Sequence, residues 1–212
     1  MSANPLDAKQ LLLGVTGSIA AYKAVDLVSK LAQGGALVQT MLTKDATRFV
    51  APLTFQSVTG QPAYTDDDLW GAQAHVLHVG LARQADLIAI APVTAQTLAK
   101  LATGLADNLL SLAALAATCP LLLAPAMDAG MYAHPATQTN LKSLQERGAI
   151  VVGPEEGHLA SGLVARGRMT EPWELLGHIR YHLSRGGPLQ GQRIIVTAGA
   201  TREPVDPVRL LT

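Results

Sequence analysis

At 212 residues the chain has room for one large domain, or for one domain and a fragment of another. Hydrophobic residues make up 49% of it but aromatics only 4%, so the core rests on Ala, Leu, Val and Ile, a mix that suits parallel strands covered by helices on both faces. Lys plus Arg and Asp plus Glu each number 16, a balance that excludes an electrostatic footprint for nucleic acid or for an anionic membrane.

The first residues, MSANPLDAKQ, lack the basic region, apolar core and cleavage site of a secretory signal. Leu11–Val15 is a short apolar run ending on glycines and predicts the first strand. Ser18–Gly34 has helical spacing, with Ala21, Val25, Val28 and Leu31 on or near one face. Between them, LLLGVTGSIAAYK delivers Gly14 and Gly17 to a turn and sets Ser18 to cap the helix. Exposed N–H groups and the helix dipole favour a phosphate there, and an ordinary glycine turn with a serine cap reads equally well. The spacing is not G-x-G-x-x-G, and the second strand, Ala36–Leu42, runs into Thr43 instead of an acidic ribose reader. A monophosphate ligand such as FMN therefore fits better than a dinucleotide.

Short helical segments follow through Gly60, and Gln61–Val79 reads as a polar, irregular loop. At its end, in HVGLARQADLIAIAPVTAQT, His78 is a candidate general base near neutral pH, or a solvent-exposed loop histidine. His75 lies three residues earlier, and no Glu-x-x-His pair or further ligand accompanies the two, so no metal is expected. Leu87–Ala91 is the third strand, and beyond it Thr94 and Thr97 offer hydroxyls at a helix start. Thr94–Ala117 reads as two helices hinged near Gly104. The run LLSLAALAATCPLLLAPAM is broken by Pro120 and Pro125, which makes it a buried helix and then a strand, Leu121–Ala124, instead of a membrane span. Cys119, the one cysteine, excludes an intrachain disulfide or thiolate cluster and suits a reducing, cytoplasmic setting.

Past the fourth strand, Met127 and Met131 flank Asp128, which fits a capping role as well as a chemical one. His134–Arg147 is a helix and Ile150–Val152 a fifth strand. Gly153–Gly167 reads as a mobile loop or lid, with Arg166 and Arg168 available to clamp an anion. A helix over Glu171–Arg185 ends the unit. After Gly186-Gly187-Pro188, a fresh strand at Arg193–Thr197 opens another, so the expected domains are 1–187 and a truncated start of a second over 188–212. The alternation predicts a doubly wound, Rossmann-like parallel α/β sheet of flavoprotein type, with ligands beyond the carboxyl ends of its strands.

In this order, GSIAAYK, HVGLARQADL, APVTAQT, GLADNLLS, PAMDAGMYAHPATQTNL and GHLASGLVARGRM resemble the flavin-dependent cysteine decarboxylases over about residues 8–185, and most closely those acting on phosphopantothenoylcysteine. The tail GQRIIVTAGATREPVDPVRLLT is similar to the start of a phosphopantothenate–cysteine ligase domain, whose remainder is missing from this chain. The resemblance implies bound FMN, with Gly17, Ser18 and Ile19 on its phosphate and Thr43, Pro92, Val93, Thr94, Ala95, Thr97 and Met127 also in contact. It implies His78, Asp128 and Ser161 as catalytic, and Asp128, His158, Leu159, Ala160 and Arg166 as substrate-binding. The implied chemistry is oxidation of a cysteinyl side chain to a thioaldehyde, loss of carbon dioxide to an enethiolate, and return of electrons and a proton to give phosphopantetheine. It also implies a homo-oligomer, a trimer or a dodecamer of trimers, with flavin near subunit contacts. Gln96 and Asp128 stand where the family usually has Asn, and Ser161 where it has Cys. An ionised Asp128 repels a substrate carboxylate, so it must be protonated, paired with a cation such as Arg166, or used differently. The alternatives are a relative that releases the enethiol unreduced and a flavin-binding regulatory protein without turnover.

Overall fold

A computed structural model describes residues 4–70, 76–185, 187, 190–193 and 195–197, and the backbone of 203–204 and 210–211. Six parallel strands form one sheet: β1 (Gln10–Val15), β2 (Leu37–Leu42), β3 (Ala63–Tyr64), β4 (Leu87–Val93), β5 (Leu121–Pro125) and β6 (Ile150–Val151). Their order is β3-β2-β1-β4-β5-β6, so the winding reverses between β1 and β4.

The period of two along β1 sends Leu11, Leu13 and Val15 to one face and Leu12 to the other. On the first face they meet α1 (Ala21–Gln33) through Ala24, Leu27 and Leu31, α2 (Pro52–Thr59) through Phe55, and the C-terminal helix Pro172–Ser184 through Leu175 and Ile179. On the second face Leu12, Ile88 and Ile90 meet α3 (Leu77–Gln84), α4 (Ala95–Thr103), α5 (Leu109–Ala116) and the helix Pro135–Glu146. Numbered in chain order, the short helix Ala129–Ala133 is α6, Pro135–Glu146 is α7 and Pro172–Ser184 is α8. Each large aliphatic buried this way contributes about 1.5–3 kcal/mol, so these two layers hold the sheet. The doubly wound α/β expectation is met.

Several local expectations are corrected. Gly14 lies inside β1, where a Cβ would stand 2.7 Å from Leu110 of α5, so it allows close helix packing instead of making a turn. Helix α1 begins at Ala21 with no side-chain cap; Ser18 Oγ accepts from Ala20 N–H at 3.3 Å, one residue before the helix. The Gln61–Val79 loop holds the edge strand β3, a short 3-10 turn at Asp66–Trp70 and the start of α3. A two-residue strand is too short for its alternation to show in the sequence. The hinge at Gly104 holds: it closes α4 in the left-handed region (φ 74°), and Asn108 with Ser111 forms a capping box for α5. Arg193 and residues 195–197 lie in no strand, and Ile195 and Val196 are exposed, because among the described residues no neighbouring strand offers them a ladder. Instead β9 (Glu203–Pro204) and β10 (Leu210–Leu211) pair antiparallel.

The Gly153–Gly167 segment is an antiparallel hairpin of β7 (Glu155–His158) and β8 (Val164–Arg168), not an open loop. Glycines dilute its alternation, which is why its pattern reads as irregular. His75 lies outside the described residues.

Candidate functional site

The reversal of winding between β1 and β4 leaves a crevice at their carboxyl ends. Thr16, 1% exposed, ties its two sides together: its hydroxyl donates to Pro92 O at 2.8 Å and accepts from Thr94 N–H at 3.0 Å. Thr43 N–H donates to Val15 O at 3.0 Å, joining the end of β2 to the same place. Gly17 sits so close to Asp45 that a Cβ there would collide with the Asp45 side chain. Among the described residues, neither the Gly17 nor the Ile19 N–H has a partner, and no side chain caps α1. A bare helix start with unspent donors fits an anion the size of a phosphate.

Gly17, Ser18 and Ile19 line a cavity of about 370 Å³ together with Thr94, Met127 and Asp128. His158, Leu159, Ala160 and Ser161, from the end of β7 and the hairpin turn, also line it. An adjoining hollow of about 410 Å³ is bordered by Gly17, Thr43, Thr94, Gln96 and Thr97. Thr94 caps α4, accepting from Thr97 N–H, and its hydroxyl meets that of Thr97 at 3.2 Å. Pro92 and Val93 are buried and border neither hollow; Pro92 acts through its carbonyl on Thr16. Ala95 opens α4 and lines neither.

The Asp128 carboxylate accepts from Gly130 N–H at 3.0 Å and from Ser161 Oγ at 2.6 Å. These two donors, the serine hydroxyl first, hold Asp128 below the ordinary aspartate range. Asp128 is therefore ionised at neutral pH, and its partner is Ser161. The expected pairing with Arg166 is not made: Arg166 Nε donates to Pro154 O at 2.9 Å, and its guanidinium lies 5.5 Å from the centre of the Tyr132 ring, beside a separate groove. The cause is a register shift. Glu155 pairs with Arg168 but Glu156 with Arg166, so Gly167 is an extra residue that turns Arg166 and Arg168 to opposite faces. Packing against Met127 fixes the bulge in place, because Met127 N–H donates to Gly167 O at 3.0 Å and a Cβ on Gly167 would strike the Met127 carbonyl.

Arg168, not Arg166, lines the cavity, as does Lys23. Lys23 is 7% exposed and donates to Glu171 at 2.8 Å and to Met169 O at 3.2 Å; Arg168 also pairs with Glu171. Lys23 first, and then Arg168, keep Glu171 below the usual glutamate range. The sequence carried a signal for this cluster. Lys23 falls on the buried stripe of α1, with Ala24, Leu27 and Leu31, where a charge needs a built partner.

His78 stands apart. It is half-buried on α3, whose Leu81 packs into the second core, and it lines neither hollow. Among the described residues no three His, Cys, Asp or Glu are grouped to hold a metal ion, and no helix is long and apolar enough to cross a membrane.

Residues 2–184 match the flavoprotein family model. The chain belongs to the flavoprotein family. Residues 189–212 match a second model, the C-terminal domain of DNA/pantothenate metabolism flavoproteins. Among curated proteins, the chain is 44% identical over 209 residues to the coenzyme A biosynthesis bifunctional protein CoaBC of Bacillus subtilis (strain 168), covering 98% of this chain and 52% of that protein. The CoaBC protein of Mycobacterium tuberculosis (strain ATCC 25618 / H37Rv) is 42% identical over 207 residues, covering 96% and 49%. The chain thus spans about half the length of the curated relatives it matches. Among solved structures, it superposes with a TM-score of 0.76 on a serine-for-cysteine mutant of PPC decarboxylase complexed with pantothenoylaminoethenethiol, at 37% identity and covering 82% of this chain and 97% of that one. The FMN-binding protein AtHal3 gives a TM-score of 0.73 at 36% identity, covering 82% and 95%.

Proposed function

We propose that this chain is an FMN-dependent decarboxylase that converts phosphopantothenoylcysteine to phosphopantetheine in coenzyme A synthesis. The observation that carries the proposal is one cavity lined both by the bare α1 start and by the Asp128–Ser161 pair. The 37% identity to a PPC decarboxylase supports this substrate, and the likeness to an FMN-binding protein supports the cofactor.

Gly17, Ser18 and Ile19 would hold the flavin phosphate, with Thr43, Thr94 and Thr97 lining the adjoining hollow and Met127 facing the cavity. FMN, when bound, supplies the two-electron oxidation that makes the carboxylate a leaving group, and the later return of those electrons. The protein handles the proton. Ser161 donates to an ionised Asp128, so its lone pairs are free to accept from a substrate thiol or amide in the cavity. A proton arriving on Asp128 reverses that hydrogen bond, and Ser161 then donates into the cavity toward the enethiolate. His158, on the same wall, is a second proton source. Leu159 and Ala160 shape the wall around the substrate.

His78 completes the site when a second copy of the chain supplies it, which is our reason for proposing a homo-oligomer, as a trimer or as trimers assembled into a dodecamer. Exposed Ile19, Tyr22 and Met131 around the cavity provide apolar surface for such a contact. The boundary near residue 187 separates this unit from the ligase-like segment, and we place the activity in the cytoplasm. The test is a visible spectrum of the purified protein, then incubation with phosphopantothenoylcysteine and mass analysis. Flavin absorption with saturated phosphopantetheine is the expected result. A product two hydrogens lighter points to enethiol release, and a protein that binds no FMN overturns the proposal.

A further inference from the structure

We infer that Arg168 is the anchor for the substrate's phosphate, an inference that rests on the decarboxylase reading above. The bulge at Gly167 turns Arg168 into the cavity and Arg166 out of it, so one of two neighbouring arginines is selected by the backbone itself. The Arg168 side chain lies across Gly157 on the facing strand, where any Cβ would crowd its Cδ at 2.9 Å and its Nη1 at 3.2 Å. Its Nη2 is held by Glu171, which is itself held by the buried ammonium of Lys23. A guanidinium fixed at its stem and at one edge presents its remaining donors with little rotamer entropy left to lose. The cluster brings two cations and one carboxylate to the cavity wall, which the ionised Asp128 also lines.

Groups of unlike charge on one wall orient a ligand with two unlike ends. The backbone of Arg168 stands on the order of 15 Å along β8 from the turn that carries Ser161, at about 3.3 Å per residue, a span suited to a long, flexible arm. The reacting cysteinyl end belongs beside Ser161 and Asp128, which leaves the phosphomonoester for Arg168, whose planar fork matches phosphate oxygens.

The experiment compares binding of phosphopantetheine and pantetheine to the FMN-loaded protein by calorimetry, alongside flavin absorbance per chain. The unsubstituted protein should prefer the phosphorylated compound at least tenfold. Arg168→Gln should erase that preference with flavin content retained, and Arg168→Lys should keep part of it. Glu171→Gln, which loosens the guanidinium, should narrow the preference without abolishing it. Equal weakening of both compounds assigns Arg168 to packing or to the cysteinyl end, and loss of flavin assigns it to the cofactor's phosphate; either result overturns the inference, as does an unsubstituted protein with no phosphate preference. Turnover of phosphopantothenoylcysteine by the unsubstituted protein tests the underlying decarboxylase reading separately.

Discussion

Asp128 and Ser161 are separated by 33 positions yet joined by one hydrogen bond, the serine hydroxyl donating to the carboxylate at 2.6 Å. Because the Ser161 hydroxyl and the Gly130 N–H hold Asp128 ionised, the folded pKa lies below the unfolded one. The sign follows from that direction. The hydrogen bond to the carboxylate is present above the ordinary aspartate pKa and is lost as pH falls through the depressed folded value. Activity that depends on the pair should therefore hold from neutrality well into the acid range before it drops. A pH profile of kcat/KM should show this acid limb, and Asp128→Asn, which cannot ionise, should remove it while lowering kcat/KM by about 100-fold, the low end of typical proton-transfer contributions. An unchanged profile in that variant would count against a shared role. The identities of both residues are plain in the sequence, and the resemblance marks them as departures from the family. Their contact is not, because it depends on how far the hairpin folds back over the β5–α6 junction. The pairing of Asp128 with Arg166 failed for a similar reason: spacing gives neighbouring arginines, and a single inserted residue decides where each one points.

Among the elements, strands β1, β4 and β5 were legible as apolar runs because both of their faces are covered, so hydrophobicity alone marks them. The hairpin was not, since β7 and β8 have neither apolar alternation nor buried faces over most of their length. What fixes the hairpin is the close approach of Gly167 to Met127. Gly167→Ala should lower stability by about 1–3 kcal/mol, the usual cost of overpacking, and should shift the cavity wall that the hairpin forms. Gly177 on α8 is the control, with open space around it and no positive φ. There, alanine should stabilise the protein by about 0.5–1 kcal/mol through helix propensity. Thermal unfolding of the two variants beside the unsubstituted chain measures both effects, and similar behaviour would break the argument that glycine is needed for contact at one site only. A third change probes the core of β2. The Thr40 hydroxyl is buried and has no partner among the described residues, so Thr40→Val should raise stability by about 1 kcal/mol.

At the scale of the whole molecule, the strand order explains why the phosphate-sized cradle and the Asp128–Ser161 pair line one cavity: the cradle lies beyond the carboxyl end of β1 and Asp128 beyond that of β5, with only β4 between them. The same order explains why His78 does not join them. It sits on α3, which packs with α5 on one face of the sheet, while the cavity opens at the strand ends. Under the proposed homo-oligomer, His78 would serve the cavity of another copy. The sequence could place His78 near the carboxyl side of a loop, but the proposed contact between copies would leave no periodic trace within one chain. Shared sites make a prediction that separate sites do not. His78→Asn and Ser161→Ala should each reduce turnover of phosphopantothenoylcysteine severely when prepared alone. If each site draws His78 from one copy and Ser161 from the next, equal random mixing joins two intact halves at about a quarter of the sites. Co-expression of the two variants in equal amounts should then restore about a quarter of the unsubstituted turnover, with native mass spectrometry showing mixed oligomers. Mixed oligomers whose turnover stays at the level of the separate variants would return His78 to a role within its own subunit.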